Sequence, residues 1–143
     1  MIDINAEIIP SKSLGGINPG DHIGSYEHFF ERYVFKNFQD ALFSVKYKFP
    51  SHYISISVDV RNGNIYKITA HPGYQGGMQE IYIGDPVEKI PDSFFYDDCD
   101  EGYMDKGIDG FIIQTDIDDP LPEELIYAKV GEIAFFLPNA FKS

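Results

Sequence analysis

The chain has no tryptophan, one cysteine, and only 11 lysines and arginines in 143 residues. Each shortage excludes something. A lone cysteine, Cys99, cannot build an internal disulfide framework and points to a reducing compartment. Eleven bases against 23 acids give a formal charge of −12. That leaves no basic stripe to follow a phosphate backbone, so nucleic acid and anionic membrane are poor partners. No apolar run approaches the roughly 20 residues that span a bilayer. The first base, Lys12, is followed by no apolar segment of the secretory kind. The expectation is a single domain over residues 1–143, cytoplasmic, bound to neither membrane nor nucleic acid.

What is present is unevenly spread. Between Asp92 and Glu124 stand twelve acids and one base, Lys106. The other 110 residues hold eleven acids and ten bases and are close to neutral. A segment so charged repels anionic surfaces and attracts cations and basic proteins.

Periodicity supplies the elements. Ile2, Ile4, Ala6 and Ile8 alternate with polar residues, which predicts a half-buried strand closed by Pro10. A Gly-rich connection runs to Gly20. Asp21 is a suitable N-cap for a helix carrying Ile23, Tyr26, Phe30, Tyr33 and Val34 at three- and four-residue spacing and fading by Asn37. Two alternating runs follow, Phe43–Phe49 and Ile54–Val60. Asn62-Gly63 is the strongest hairpin signal. A three-residue loop, Arg61-Asn62-Gly63, with Gly63 at positive φ as a bulge, places Tyr66 opposite Val58 and Ile68 opposite Ile56 and keeps the apolar residues on one face. Farther on, the pattern predicts a short strand at Gln79–Ile83 and a short helix capped by Asp85 with Pro86 at its first position. Phe94–Tyr96 reads as extended, Asp97–Gly107 as an acidic loop, Phe111–Ile117 as a strand and Asp118–Glu124 as a loop. A closing hairpin of Ile126–Val130 and Ile133–Leu137 turns at Gly131-Glu132. Gly20-Asp21-His22-Ile23 echoes Gly84-Asp85-Pro86-Val87. Shared capping chemistry accounts for the likeness, and duplication is the alternative. The fold class expected is α+β: a mostly antiparallel, curved sheet packed on one main N-terminal helix, with a second short helix.

Chemistry is harder to find. The run Asp97-Asp98-Cys99-Asp100-Glu101-Gly102 fails the EF-hand pattern: starting at Asp98, the fifth position is Gly102 and the twelfth is Asp109. His22, His28, His52 and His71 lack metal-ligand spacing. Cys99 lies between carboxylates that disfavour its thiolate. There is no Gly-x-Ser-x-Gly elbow and no Walker loop. No metal, cofactor or catalytic residue is expected.

The acidic segment contains Phe94, Phe95, Tyr96, Tyr103 and Phe111, with Tyr127 just beyond it. Aromatic anchors among carboxylates suit a surface that meets a basic partner, and a solubilising loop over core aromatics would have the same composition. The residues expected to bind a partner are Asp97, Asp98, Asp100, Glu101, Tyr103, Asp105, Asp109, Asp116, Asp118, Asp119, Glu123 and Glu124.

A resemblance fits this expectation. Ile8-Ile9-Pro10, Ser13-Leu14-Gly15-Gly16-Ile17, Gly20-Asp21-x-Ile23 and Tyr26, with Tyr74-x-Gly76 and Ile81-x-Ile83-Gly84-Asp85-x-Val87 later, resemble small bacterial immunity proteins. Those proteins guard cells against polymorphic toxins, including contact-dependent growth inhibition systems. The likeness covers most of the chain in outline and rests on turns and caps. It implies a non-catalytic cytoplasmic inhibitor that occludes the C-terminal domain of a toxin, often a basic nuclease. Two other readings stand beside it: an acidic adaptor or regulatory module, and a small carboxylate-based hydrolase.

Overall fold

The computed structural model describes residues 1–10 and 12–137. Its eight strands are β1 (Lys36–Ala41), β2 (Ser44–Phe49), β3 (Ile54–Asp59), β4 (Asn64–Ala70), β5 (Phe95–Asp97), β6 (Gly102–Asp105), β7 (Ile108–Thr115) and β8 (Val130–Phe136). They form one antiparallel sheet in the order β1-β2-β3-β4-β8-β7-β6-β5. A 3-10 turn, Ile23–Tyr26, runs into α1 (Glu27–Arg32), and α2 (Pro122–Leu125) is a single turn. The class is α+β, with the sheet dominant and the helices small.

Alternation decides the two faces. Val45, Tyr47 and Phe49 register with Val58, Ile56 and Ile54, which register onward with Ile65, Ile68 and Ala70. This face meets Leu14, Ile17, Phe29, Tyr74, Met78 and Ile81 in one continuous core. The opposite face carries Ser44, Lys46, Lys48, Ser55, Ser57, Asp59, Lys67 and Thr69. In β3 both faces are buried.

Several elements differ from the sequence expectation, each for a physical reason. Residues 2–8 alternate in burial as expected, but they form no strand. Their backbone pairs with a loop instead: Ile8 N–H donates to Gly77, and Gln75 and Gly76 donate to Ile4. Tyr74 fastens the layer, donating its hydroxyl to the Ala6 carbonyl at 2.7 Å and accepting from Gly15 N–H at 2.9 Å. Burial pushes its phenol up to about 12, so it stays protonated. The N-cap is His22, whose Nδ1 accepts from Gly24, while Asp21 accepts the Tyr26 hydroxyl at 2.6 Å. The helix stops at Arg32 because Tyr33 turns extended, and Phe35 then packs on Phe30 and Tyr47. The unexpected β1 follows; all six of its side chains are exposed, so it has no burial period to read.

The hairpin loop is four residues long, 60–63, between the pair Asp59 and Asn64. Gly63 has φ +77° and Ile68 faces Ile56, as expected. Tyr66, however, is the extra residue of a bulge, and Ile65 takes its expected place opposite Val58. Asp59 closes the longer turn by accepting from Gly63 N–H, the Arg61 N–H and the Arg61 guanidinium. The Tyr66 hydroxyl is drawn to Ser44 at 2.6 Å. Gln79 and Glu80 adopt left-handed φ and make a tight turn, not a strand. Asp85 caps no helix; its carboxylate accepts from Tyr82 N–H and pairs with Lys89 at 3.3 Å beside a short 3-10 turn, Val87–Lys89. Strand β6 lies inside the expected acidic loop, and the expected closing hairpin is one strand, β8, preceded by α2.

The echo of the two Gly-Asp steps is structural. Gly20 donates to Ile65 and Asp21 accepts from Ile65, and Ile23 donates to Gly63. Gly84 donates to Val130 and Asp85 accepts from Val130, and Val87 donates to Ala128. Upstream, the reciprocal bridge Leu14–Ile17 matches Met78–Ile81. Each half then adds four antiparallel strands, and each carries the same bulge: Tyr66 between the pairs Ser57–Lys67 and Val58–Ile65, and Gly131 between Gln114–Glu132 and Thr115–Val130. The halves meet where β4 crosses β8. Ile68–Phe135 and Ala70–Ile133 flank Thr69–Ala134 symmetrically, so a pseudo-twofold axis passes through that pair. Capping chemistry alone would reproduce neither the bulge nor the axis.

This repeat makes a paired prediction. Gly20 and Gly84 have φ of +89° and +95°, with little or nothing near a built Cβ. Gly20→Ala and Gly84→Ala are expected to destabilise by similar amounts, about 1–2 kcal/mol each, from the left-handed penalty alone. Denaturant midpoints measure this; a several-fold disparity would refute the equivalence.

Candidate functional site: an acidic rim and a polar sheet face

Strand direction places the expected partner-binding residues. Asp97, Asp98, Asp100 and Glu101 occupy the β5–β6 turn, at the same end of the sheet as the exit of β7 that carries Asp116, Asp118 and Asp119. Glu101, Asp116, Asp118 and Glu132 line one cleft of about 310 Å³. Burial, then the charges of Glu101 and Asp98, push the Tyr96 phenol up, and Asp119 adds to the effect. These acids therefore share one rim. Asp105 and Asp109 lie at the far end, around the β6–β7 turn, where Lys106 sits over the Phe95 ring at 5.9 Å. Glu123 and Glu124 lie on α2.

Four of the acids also hold backbone. Asp97 accepts from Cys99 and Asp100 N–H, Asp105 from Gly107, Asp116 from Lys129, and Glu124 from Leu121. Tyr103 does not belong to the rim. It registers with Ile113 on the core face and packs edge-on against Tyr96 at 5.2 Å. Period two sends its ring inward once residues 102–105 pair as a strand.

Beside the rim lies a feature that motif reading missed. Asp40, Tyr66, Lys67, Asp100, Met104, Ile112, Gln114 and Phe136 line one cavity of about 580 Å³. In a flat sheet Asp40 on β1 and Met104 on β6 would stand six strand spacings apart, or ~29 Å at ~4.8 Å per strand. Sharing one cavity requires the sheet to curl around its polar face. Desolvation, then Lys46, holds the Lys67 ammonium below its usual range, while Asp40, Glu132 and Asp100 oppose this. Asp40 accepts from Ser44 at 2.5 Å and Ser57 at 3.2 Å. Burial pushes the nearby Tyr66 phenol up.

The same face holds a Ser-His-Glu relay. Ser55 Oγ is 2.8 Å from His71 Nε2, and His71 Nδ1 is 2.5 Å from Glu132 Oε2. With Nδ1 protonated, the ring donates to Glu132 and accepts the Ser55 hydroxyl proton. These three residues come from β3, the end of β4 and β8, and no spacing in the sequence joins them. The order could activate a hydroxyl. However, Ser55 is 1% exposed, on β3 between β2 and β4. A substrate carbonyl has no approach to it, so in this state the relay is a polar clamp across the seam. Across the pseudo-twofold axis its equivalents are Ile112, Phe136 and Lys67, in the floor of the large cavity. Among the described residues no group of three or more His, Cys, Asp or Glu is placed to hold a metal ion. No helix there is long and apolar enough to cross a membrane.

The clamp sets a pH dependence. The hydrogen bond from His71 holds the Glu132 carboxyl below its ordinary 4.5 despite burial. A depressed acid stabilises the fold fully above its unfolded value and loses that contribution as pH falls through the folded one. Urea midpoints between pH 6 and about 3 are expected to fall more steeply for the native chain than for Glu132→Gln. His71→Ala, which strands the Ser55 hydroxyl, is expected to destabilise by about 1–3 kcal/mol at neutral pH.

No family model and no curated protein sequence matches the chain. Among solved structures it is similar to the uncharacterized protein yfeY from Escherichia coli, with a TM-score of 0.56 at 14% identity over 93% of this chain and 99% of that one. At that identity the likeness concerns the fold alone.

Proposed function

We propose that this protein is an immunity protein, which binds the basic C-terminal domain of a cognate bacterial toxin in the cytoplasm and neutralises it by stoichiometric occlusion. The observation that carries the reading is the rim. Asp98, Asp100, Glu101, Asp116, Asp118 and Asp119 are exposed and drawn to one end of β5–β7 by the strand turns. Such a field accelerates encounter with a positive cleft. In a nuclease, carboxylates at that cleft would occupy phosphate positions without offering a scissile bond. The sequence resemblance to immunity proteins supports the same reading.

The test is charge reversal at Asp98, Asp100 and Glu101, with the domain encoded beside this gene as ligand. Association is expected to slow at least ten-fold in low salt, with a flatter dependence of affinity on ionic strength. Equal rates and an equal salt slope would sink the acidic-rim model. A partner with no toxic activity would favour an adaptor instead.

A hydrolase is the second reading, favoured only by the Ser55–His71–Glu132 geometry. Labelling of the folded protein by a fluorophosphonate, lost in Ser55→Ala, would establish it. The burial of Ser55 makes no labelling the expected result.

A further inference from the structure

The two halves share a frame, so the places where they differ were not required by it. Between β3 and β4 the first half has the four-residue turn 60–63. At the equivalent place, between β7 and β8, the second half has residues 116–129. At its base Asp116 N–H donates to the Lys129 carbonyl and Asp116 Oδ1 accepts from Lys129 N–H, both at 2.9 Å, whereas at the equivalent place Asp59 accepts from Arg61 N–H and Asn64 N–H donates to Asn62. The extra residues form a loop closed at its base by Asp116 and Lys129.

That loop is braced from within and exposes three large apolar side chains. Pro120 and Pro122 restrict it. Glu124 Oε1 accepts from Leu121 N–H, and Tyr127 and Ala128 donate to Glu124 and Leu125. Leu121, Ile126 and Tyr127 are nevertheless 56%, 70% and 80% exposed. A single exposed leucine is ordinary, but three large apolar side chains exposed on one loop are apolar surface that a partner would cover. Asp118, Asp119, Glu123 and Glu124 stand beside them in the chain, with no base in residues 117–128.

We infer that the 117–128 loop is the anchoring element for the basic partner, with Tyr127 and Ile126 as the side chains that enter an apolar pocket inside a positively charged surface. This rests on the immunity reading and names its contact. Carboxylates around a desolvated aromatic centre match the rim and core of an interface, and a prebraced loop loses little freedom on docking. A second copy of this chain fits poorly, because the loop would face its own negative charge.

Tyr127→Ala, Ile126→Ala and the charge-reversed Asp118→Lys/Asp119→Lys chain are compared with native protein by binding kinetics against the domain encoded beside the gene. Circular dichroism melts and light scattering are run on each protein alone. The apolar variants are expected to melt as native does, because both residues are exposed. They are expected to dissociate at least ten-fold faster with an unchanged salt slope, and the charge variant to associate more slowly. Native dissociation rates in both apolar variants, with binding still salt-dependent, would overturn the anchor and leave the immunity reading standing. No binding by native protein would remove both. A native dimer that Tyr127→Ala makes monomeric would assign the loop to self-association and overturn the proposal.

Discussion

The antiparallel seam between β4 and β8 is the constraint on which the rest depends. It joins two four-strand units into one sheet, and its central pair, Thr69 and Ala134, lies on the pseudo-twofold axis. Each strand of the seam is held at its start by a Gly-Asp step, through two backbone hydrogen bonds of 2.7–2.8 Å to Ile65 or Val130. Those bonds require the left-handed glycine, because its N–H and the next carbonyl must address the same residue. The repeated bulge at Tyr66 and Gly131 follows from the same demand, re-aiming each strand as it enters the seam.

On this frame the halves are specialised by charge. Core positions stay apolar in both: Ile56 with Ile113, Ile68 with Ile133, Ile65 with Val130. Turns carry no such requirement, since a solvated side chain there costs the fold little. Most acids of the second half sit on those turns or at the strand ends beside them, where water screens their mutual repulsion. A segment with eleven net negative charges is thereby compatible with a stable sheet.

The polar face obeys a stricter rule. Ser55, Ser57, Asp59 and Thr69 are buried, so their polar atoms need partners. His71 and Glu132 answer Ser55, Asp40 answers Ser57, and Arg61 answers Asp59. This explains why a relay with the outward form of a catalytic triad can be a clamp: the hydroxyl is buried, and the clamp satisfies it. The equivalent positions in the second half are Ile112 and Phe136, where the face opens into a cavity.

Much was legible in the residues alone. Alternation located β2 and β3, the Asn62-Gly63 signal placed the hairpin into β4, Gly63 took the positive φ its turn required, and the charge segment was plain from composition. These are local properties: period, turn chemistry and net charge need no partner strand. Tertiary structure decided what depends on long-range pairing. It turned the alternating residues 2–8 into a cover layer instead of a strand, because their backbone groups pair with loop 75–77. It drew β1 from a stretch with no burial period and sent Tyr103 into the core through the register of β6. It divided the eleven expected acids between a rim, a far turn and α2. Ser55, His71 and Glu132 lie far apart in sequence, and only the order of strands brings them within hydrogen-bond distance.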